Sequence, residues 1–316
     1  MPQKAMYMKN FLLISLAVCC LAVSCKTSDS TSSATSTTTT NSGTTTTTTT
    51  TTTSNGDQSQ NPEVALGWKL GAQAYTFNRF TFAEAIDKIK SCGLSYVEAY
   101  PGQTIGGGIE GKMEPSMPAE KRQQILKMLQ DKGVKMVSFG VTGAKDEAGW
   151  RELFEFAVAM GLENITMEPE PEFIPLVSKL CDEYQINAAL HNHPNPSRYW
   201  NPDVVIAAMQ GQSNRLGACA DIGHWVRSGL DPVECLKKLE GHVIQLHFKD
   251  LNEKSKNAHD VHWGTGISNV DGVLAELKRQ NFKGVLSAEY EYNWENSAPD
   301  VTASVQYFRE AVKKIN

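Results

Sequence analysis

The chain is poor in several things that would mark other kinds of protein. Its 316 residues contain seven cysteines, and no two stand in C-x-x-C spacing. The four beyond the first 61 residues, Cys92, Cys181, Cys219 and Cys235, sit inside apolar, periodic stretches. That pattern describes buried free thiols, and it excludes a zinc ribbon, a thiol–disulfide redox motif and a disulfide framework. Positive charge is also scarce: 30 Lys and Arg face 35 Asp and Glu, for a formal net charge of −5, with no basic stripe. A nucleic-acid partner is not indicated. The apolar run from Phe11 to Val23 is too short to span a bilayer, which takes about 20 residues. No Gly-rich phosphate turn follows the first strand candidate, so a dinucleotide fold lacks its signature. Gly106 to Lys112 reads G-G-G-I-E-G-K, but Met113 stands where a phosphate loop needs Ser or Thr. A flexible loop is expected there instead.

What is present begins with an export signal. Lys4 and Lys9 precede the apolar run, and Ser24-Cys25 closes it. This predicts a lipoprotein-type signal peptide over residues 1–25, with Cys25 as the lipidated residue and the cell envelope or periplasm as destination. Residues 26–61 are mostly Ser, Thr, Asn, Gly and Asp, with unbroken threonine from Thr44 to Thr53. Such a segment buries too little apolar surface to offset its ordering entropy and is expected to be a disordered tether, reaching on the order of 30 Å. The membrane would be met only through the lipid anchor.

Residues 62–316 alternate short apolar runs with amphipathic helical patterns, eight times over. Strand candidates are Leu70–Tyr75, Tyr96–Ala99, Val134–Gly140, Asn164–Met167, Ile186–Leu190, Leu216–Ala220, Val243–Phe248 and Val285–Ala288. Thr81-Phe-Ala-Glu84 reads as a capping box, Gly93, Gly133 and Gly161 as helix stops, and Asn201-Pro202 and Asp231-Pro232 as helix starts. Strand–helix alternation at this spacing implies parallel pairing, and eight units predict a (β/α)₈ barrel.

In such a barrel chemistry gathers at the C-terminal ends of the strands. The last five candidates all deliver titratable groups there: Glu168 and Glu170, His191 and His193, Asp221 and His224, His247 and Lys249, Glu289 and Glu291. A single strand-end carboxylate is usually a helix cap, and a single histidine a core residue. Five neighbouring strands ending this way would repel one another unless a cation neutralised them. Because side chains at i and i+2 share a face, Glu168, His191, His247 and Glu289, with Asp221 as the matching position on the sixth strand, are expected to point into the barrel mouth, and Glu168, Asp221, His247 and Glu289 are taken as the ligands of one divalent metal. An oxygen-rich set of this kind favours Mn²⁺, with Mg²⁺, Co²⁺ or Zn²⁺ as alternatives.

These motifs give the chain a resemblance to the xylose isomerase-like TIM barrels, a group that includes sugar isomerases, epimerases, inosose dehydratases and endonuclease IV. It rests on "DIGHW", "LHFKD", "HWGTGISNVDGV" and "LSAEYE", and extends over Leu70 to Ile315. The resemblance implies a metal held by Glu, Asp, His and Glu, with glutamates moving protons on a bound keto-sugar. Asp221, His247 and Glu289 match those positions directly. The remaining glutamate is expected on the fifth strand, where this chain has "LHNHP"; Glu168 is taken as its substitute, with His191 beside it as ligand or acid–base group. The endonuclease branch is excluded, because the second and third strands end in "VEAYPG" and "SFGVTG", without histidine.

The expected activity is a metal-dependent sugar isomerase or epimerase reaction on a keto-sugar, begun by proton abstraction next to the carbonyl. The catalytic candidates are Glu168, Glu289, His191, His224 and Lys249. His193, Trp200, Trp225 and Trp263, with Trp294, are the expected sugar contacts, since indoles stack on C–H faces. A lyase or hydratase acting on a 3-keto-glycoside, or a sugar-binding lipoprotein without catalysis, are the alternative readings.

Overall fold

Parallel strands joined by helices need both sheet faces covered, and closing the sheet removes its edges. The computed structural model, which describes residues 61–316, shows that solution. The expected signal peptide, Cys25 and all of the tether but Asn61 lie outside the described residues. The barrel strands are β1 (Lys69–Gln73), β2 (Tyr96–Ala99), β3 (Lys135–Thr142), β4 (Asn164–Met167), β5 (Asn187–His191), β6 (Leu216–Asp221), β7 (Val243–Phe248) and β8 (Val285–Ala288). Each pairs in parallel with its chain neighbour, and β8 closes on β1, giving a (β/α)₈ TIM barrel.

Helix boundaries follow the expected punctuation. α1 (Phe82–Ser91) starts at the reciprocal Thr81–Glu84 capping box. α2 (Ala119–Lys132) stops at Gly133, whose φ of 64° lies in the left-handed region. α3 (Glu147–Ala159), α4 (Ile174–Tyr184), α5 (Pro202–Met209), α6 (Ile222–Arg227), α7 (Pro232–Lys238), α8 (Val270–Arg279) and α9 (Ala298–Ile315) complete the outer layer. Asn201 and Asp231 cap α5 and α7 with their side chains. Among the described residues, no helix is long and apolar enough to cross a membrane. The Gly106–Lys112 segment departs from the expected loop: Thr104–Gly106 and Ile109–Lys112 form an antiparallel hairpin, fastened by the fully buried Ile105 and Met113.

Strand alternation divides the side chains into two sets. Leu70, Val97, Phe139, Ile165, Leu190, Ala220, Leu246 and Leu286 pack with helix residues such as Phe82, Trp150 and Phe308 in one apolar core. The alternate set faces the barrel axis and is polar: Glu98, Ser138, Thr166, Gln245, His247 and Ser287 are all buried there. Glu98 Oε1 accepts from Thr166 Oγ1 at 2.5 Å, and Glu98 Oε2 accepts from Gln245 Nε2 and, at 3.2 Å, from Ser287 Oγ. This hydrogen-bonded interior carries the rim residues above it.

Candidate metal centre

The polar set culminates at the strand ends. His191 closes β5, Asp221 closes β6, His247 lies one residue before the end of β7, and Glu289 follows β8. One ligand-capable atom from each comes within 4.8 Å of the other three, and all four residues are buried.

Both histidines have a carboxylate behind them. His191 Nδ1 donates to Glu168 Oε1 at 2.9 Å, which leaves Nε2 facing Asp221 Oδ2 at 3.6 Å. His247 Nε2 donates to Glu98 Oε2 at 2.8 Å, leaving Nδ1 at 3.0 Å from Glu289 Oε2. Such partners fix the tautomer and orientation of a metal-binding imidazole. Asp221 Oδ1 accepts from the His224 backbone N–H at 2.7 Å and so caps α6, while Oδ2 turns to the cluster. His191 Nε2, His247 Nδ1 and Asp221 Oδ2 are buried without any hydrogen-bond partner. Orphaned buried polar atoms are rare, and three converging on one point form a donor set that fits a divalent cation.

Charge in the cluster agrees. Burial works against the charged form of each group, but Lys249 and His247 hold the Glu289 carboxyl well below its usual range. Likewise Lys249 and His191 hold Asp221 down against burial. Burial would push the His191 ring down, yet Asp221 and Glu168 raise it. Lys249 Nζ is fully buried, 3.0 Å from Asp221 Oδ2, 2.8 Å from Glu289 Oε2 and 2.7 Å from Glu291 Oε2. Its contact with Asp221 lacks hydrogen-bond alignment and acts through charge alone.

The cluster opens onto a cavity of about 280 Å³ lined by His191, His193, His224, Glu289 and Glu291 on one side and by Tyr75, Tyr100, Pro101 and Val141 on the other. His224 Nδ1 lies 3.0 Å from Arg227 Nη1. A guanidinium only donates, so Nδ1 accepts and Nε2 carries the proton. Burial, aided by Lys249, His191 and Arg227, keeps this ring neutral in spite of Asp221.

Residues 86–311 match the family model for the xylose isomerase-like TIM barrel. The chain belongs to that family. An uncharacterized protein from Parabacteroides distasonis is similar at 32% identity and a TM-score of 0.65, over 79% of this chain and 100% of its own. A D-tagatose 3-epimerase-like protein shares the fold at 18% identity and TM-score 0.63, covering 78% of this chain and 98% of its own. A xylose isomerase-like TIM barrel protein from Mycobacterium smegmatis, solved in complex with magnesium, does so at 13% identity and TM-score 0.63, over 78% and 97%. Comparison with curated protein sequences finds no match.

Within this family frame, the structure rearranges several sequence expectations. Glu168 is not in the four-residue cluster. It lies behind His191 and His193, accepting from Nδ1 of both rings and forming with them a second, separate group of ligand-capable atoms, while His191 is the member of the four-residue cluster that Glu168 was expected to be. Burial opposes its ionisation, but those two histidines hold its pKa at about 2. Glu170 turns away to Arg198. Lys249 does not line the cavity; its ammonium is locked among three carboxylates and is a counter-charge rather than a substrate contact. His193 and His224 do line it, and His224 stands on α6. The tryptophans are corrected too. Trp225 is 1% exposed and Trp263 2%, both in the apolar core, where Trp263 packs on Phe248 and Phe308. Trp200 is half-buried and is not in the cavity wall. Tyr75 and Tyr100 take that position instead. Glu98 was missed altogether, although a glutamate in the middle of the strand candidate "YVEA" was a visible signal.

Proposed function

We propose that this protein is a divalent-metal-dependent enzyme of the sugar isomerase/epimerase type that transfers a proton at the carbon next to a carbonyl of a keto-sugar. The observation that carries this reading is the convergence of the unpartnered His191 Nε2, His247 Nδ1 and Asp221 Oδ2, with Glu289, at the floor of a sugar-sized cavity. The family and the D-tagatose 3-epimerase-like neighbour support the substrate class.

His191, Asp221, His247 and Glu289 would hold the ion. Two imidazoles with two carboxylates are less oxygen-rich than expected, so Zn²⁺ and Co²⁺ fit beside Mn²⁺. A divalent cation bound there polarises the substrate carbonyl and acidifies the neighbouring C–H. Glu289, kept ionised by Lys249 and His247, accepts that proton. His224, kept neutral, donates a hydrogen bond from Nε2–H to the substrate oxygen without giving up the proton. His193, whose Nδ1 is tied to Glu168, presents its other nitrogen to the cavity as a second proton carrier. Lys249 keeps the carboxylates ionised and close together.

One feature favours a second reading. Two-base epimerisation needs a carboxylate on each face of the sugar, and Glu168 is turned away behind the histidines. A single glutamate with flanking imidazoles equally suits abstraction followed by loss of a β-substituent, as in a lyase or hydratase acting on a 3-keto-glycoside. Incubating metal-stripped and Mn²⁺- or Zn²⁺-reloaded protein with a panel of ketoses and 3-keto-glycosides separates the two. Reloading is expected to restore turnover, and the product shows whether a group was expelled. Turnover that is indifferent to metal would sink both readings.

A further inference from the structure

The cavity has two chemically unlike halves. Glu289, with the rims of β5 and β6, supplies carboxylate and imidazole, while the mouth on the β1 and β2 side is aromatic. Tyr75 follows β1 and Tyr100 follows β2, and the closed strand order sets these against β5 across the barrel. The Tyr100 and Tyr75 ring centroids are 5.2 Å apart, and Trp294, on the segment after β8, packs 5.6 Å from Tyr75. Both contacts are edge-to-face, with interplanar angles of 79° and 85°. Three rings thus brace one another, so the wall stands ready before a ligand arrives and costs little ordering entropy on binding. Tyr75 remains 40% exposed despite these neighbours.

A single sugar ring covers about one aromatic ring when it stacks. A monosaccharide held at the metal half would leave most of the outward row of three uncovered. The charge pattern limits the ligand further. No lysine or arginine lines the cavity. The two nearest cations are already committed, Lys249 to Asp221, Glu289 and Glu291, and Arg227 to Asp260 and Glu291. With these cations spent on Glu289, Glu291 and their neighbours, no free cationic side chain is left on the wall to receive a phosphate or carboxylate group of the substrate.

Resting on the proposed sugar chemistry at the metal centre, we infer that the substrate is an uncharged molecule of two rings. One is the sugar ring at the metal half. The other, a second sugar or an aryl group, lies against Tyr100 and Tyr75, which Trp294 braces from outside the cavity wall. These aromatics form a binding subsite for that second ring, and it selects keto-glycosides, which keep a carbonyl for the metal half, over free ketoses and over sugar phosphates.

The test uses the metal-loaded full chain and isothermal titration with sets of ligands built on each of several hexoses and pentoses oxidised to the 3-keto form: the methyl glycoside, the 4-nitrophenyl glycoside, a disaccharide and the sugar phosphate. For the sugar that the site accepts, the two-ring ligands are expected to bind at least tenfold more tightly than the methyl glycoside, and the phosphate more weakly than either. Which of the two-ring ligands gains more tells an aryl from a sugar partner. In Trp294→Ala and Tyr75→Ala the ratio of two-ring to methyl affinity should fall toward one, whereas Tyr75→Phe should keep it. Two-ring and methyl ligands of equal affinity, a ratio untouched by both alanine variants, or tighter binding of the phosphate would overturn the inference while leaving the sugar assignment standing. Binding of no sugar in any form would overturn both.

Discussion

At the scale of single residues, the site depends on groups that touch no substrate. Glu98 sits at the barrel axis with no exposed surface and accepts from His247, Thr166, Gln245 and Ser287. It decides which nitrogen of His247 faces the cluster. Glu98→Gln keeps the volume but sets an amide N–H against donors, and orienting partners of this kind contribute roughly 10–100-fold in metal affinity. Zn²⁺ affinity measured by chelator competition is expected to fall within that range. An unchanged affinity would show that His247 is oriented by its packing alone. The sequence made Asp221, His247 and Glu289 readable because each ends an apolar run, and parity along the strand assigned their face. It did not make Glu168's place readable, because whether a carboxylate meets a metal or a histidine depends on a cross-strand neighbour. Nor did it distinguish Trp225 and Trp263, which face the core, from a tryptophan at the mouth. An indole's sequence position says that it follows a strand, and the path of the loop then decides which way it points.

At the scale of elements, the barrel tolerates little added volume where strands approach. A Cβ built on Gly140 would lie 2.1 Å from the Thr166 backbone oxygen on the adjacent strand. Backbone cannot yield as a flexible side chain does, so Gly140→Ala should cost about 2–3 kcal/mol or more in urea denaturation. Gly161 has nothing within 4 Å, and only its φ of +66° resists a side chain. Gly161→Ala should therefore cost about 1–2 kcal/mol. Equal losses in the two variants would contradict this division between clash and conformation. Strand positions were legible because short, doubly buried segments contrast sharply with amphipathic helices: β2, β4, β7 and β8 lie where the apolar runs placed them. The ends that shifted did so for local reasons. Gln73 caps a 3₁₀ turn at Ala74–Phe77 and so ends β1 early, and β3 runs on to Thr142 beside β4. The Gly106–Lys112 hairpin was hidden because three consecutive glycines read as looseness, whereas Gly106, Gly107 and Gly108 supply the positive φ of 72°, 62° and 83° that the tight turn uses.

At the scale of the whole molecule, the network around the cavity ties stability to pH. Asp260 pairs with Arg227 at 2.9 Å, but burial, reinforced by Glu291 and Asp221, outweighs Lys249 and Arg227 and pushes its carboxyl up to about 7. Its Oδ1 is buried without a partner, which is the atom that this penalty concerns. An acid whose pKa is higher folded than unfolded binds more protons in the folded state. Its contribution to stability is therefore greatest below about pH 4 and is lost as pH rises to about 7. The urea midpoint of the wild type should fall between pH 5 and pH 7.5 by more than that of Asp260→Asn. Equal slopes would mean that Arg227 keeps Asp260 ionised throughout. The global architecture was the most legible level of all, since eight strand–helix repeats leave few ways to cover both faces of a parallel sheet. The reaction was less legible, because one barrel rim serves several fates of the same carbanion-like intermediate.

In the proposed reaction Glu289, at a metal centre built with His191, Asp221 and His247, removes a proton from the carbon beside a sugar carbonyl. Solvent-deuterium exchange, followed by NMR, into a keto-sugar incubated with metal-loaded protein reads that step. Deuterium is expected at that carbon with wild type, incorporation at least 100-fold slower with Glu289→Gln, and none once the metal is removed. Exchange in Glu289→Gln at the wild-type rate, or its absence from every keto-sugar bound by the wild type, would contradict the proposed reaction.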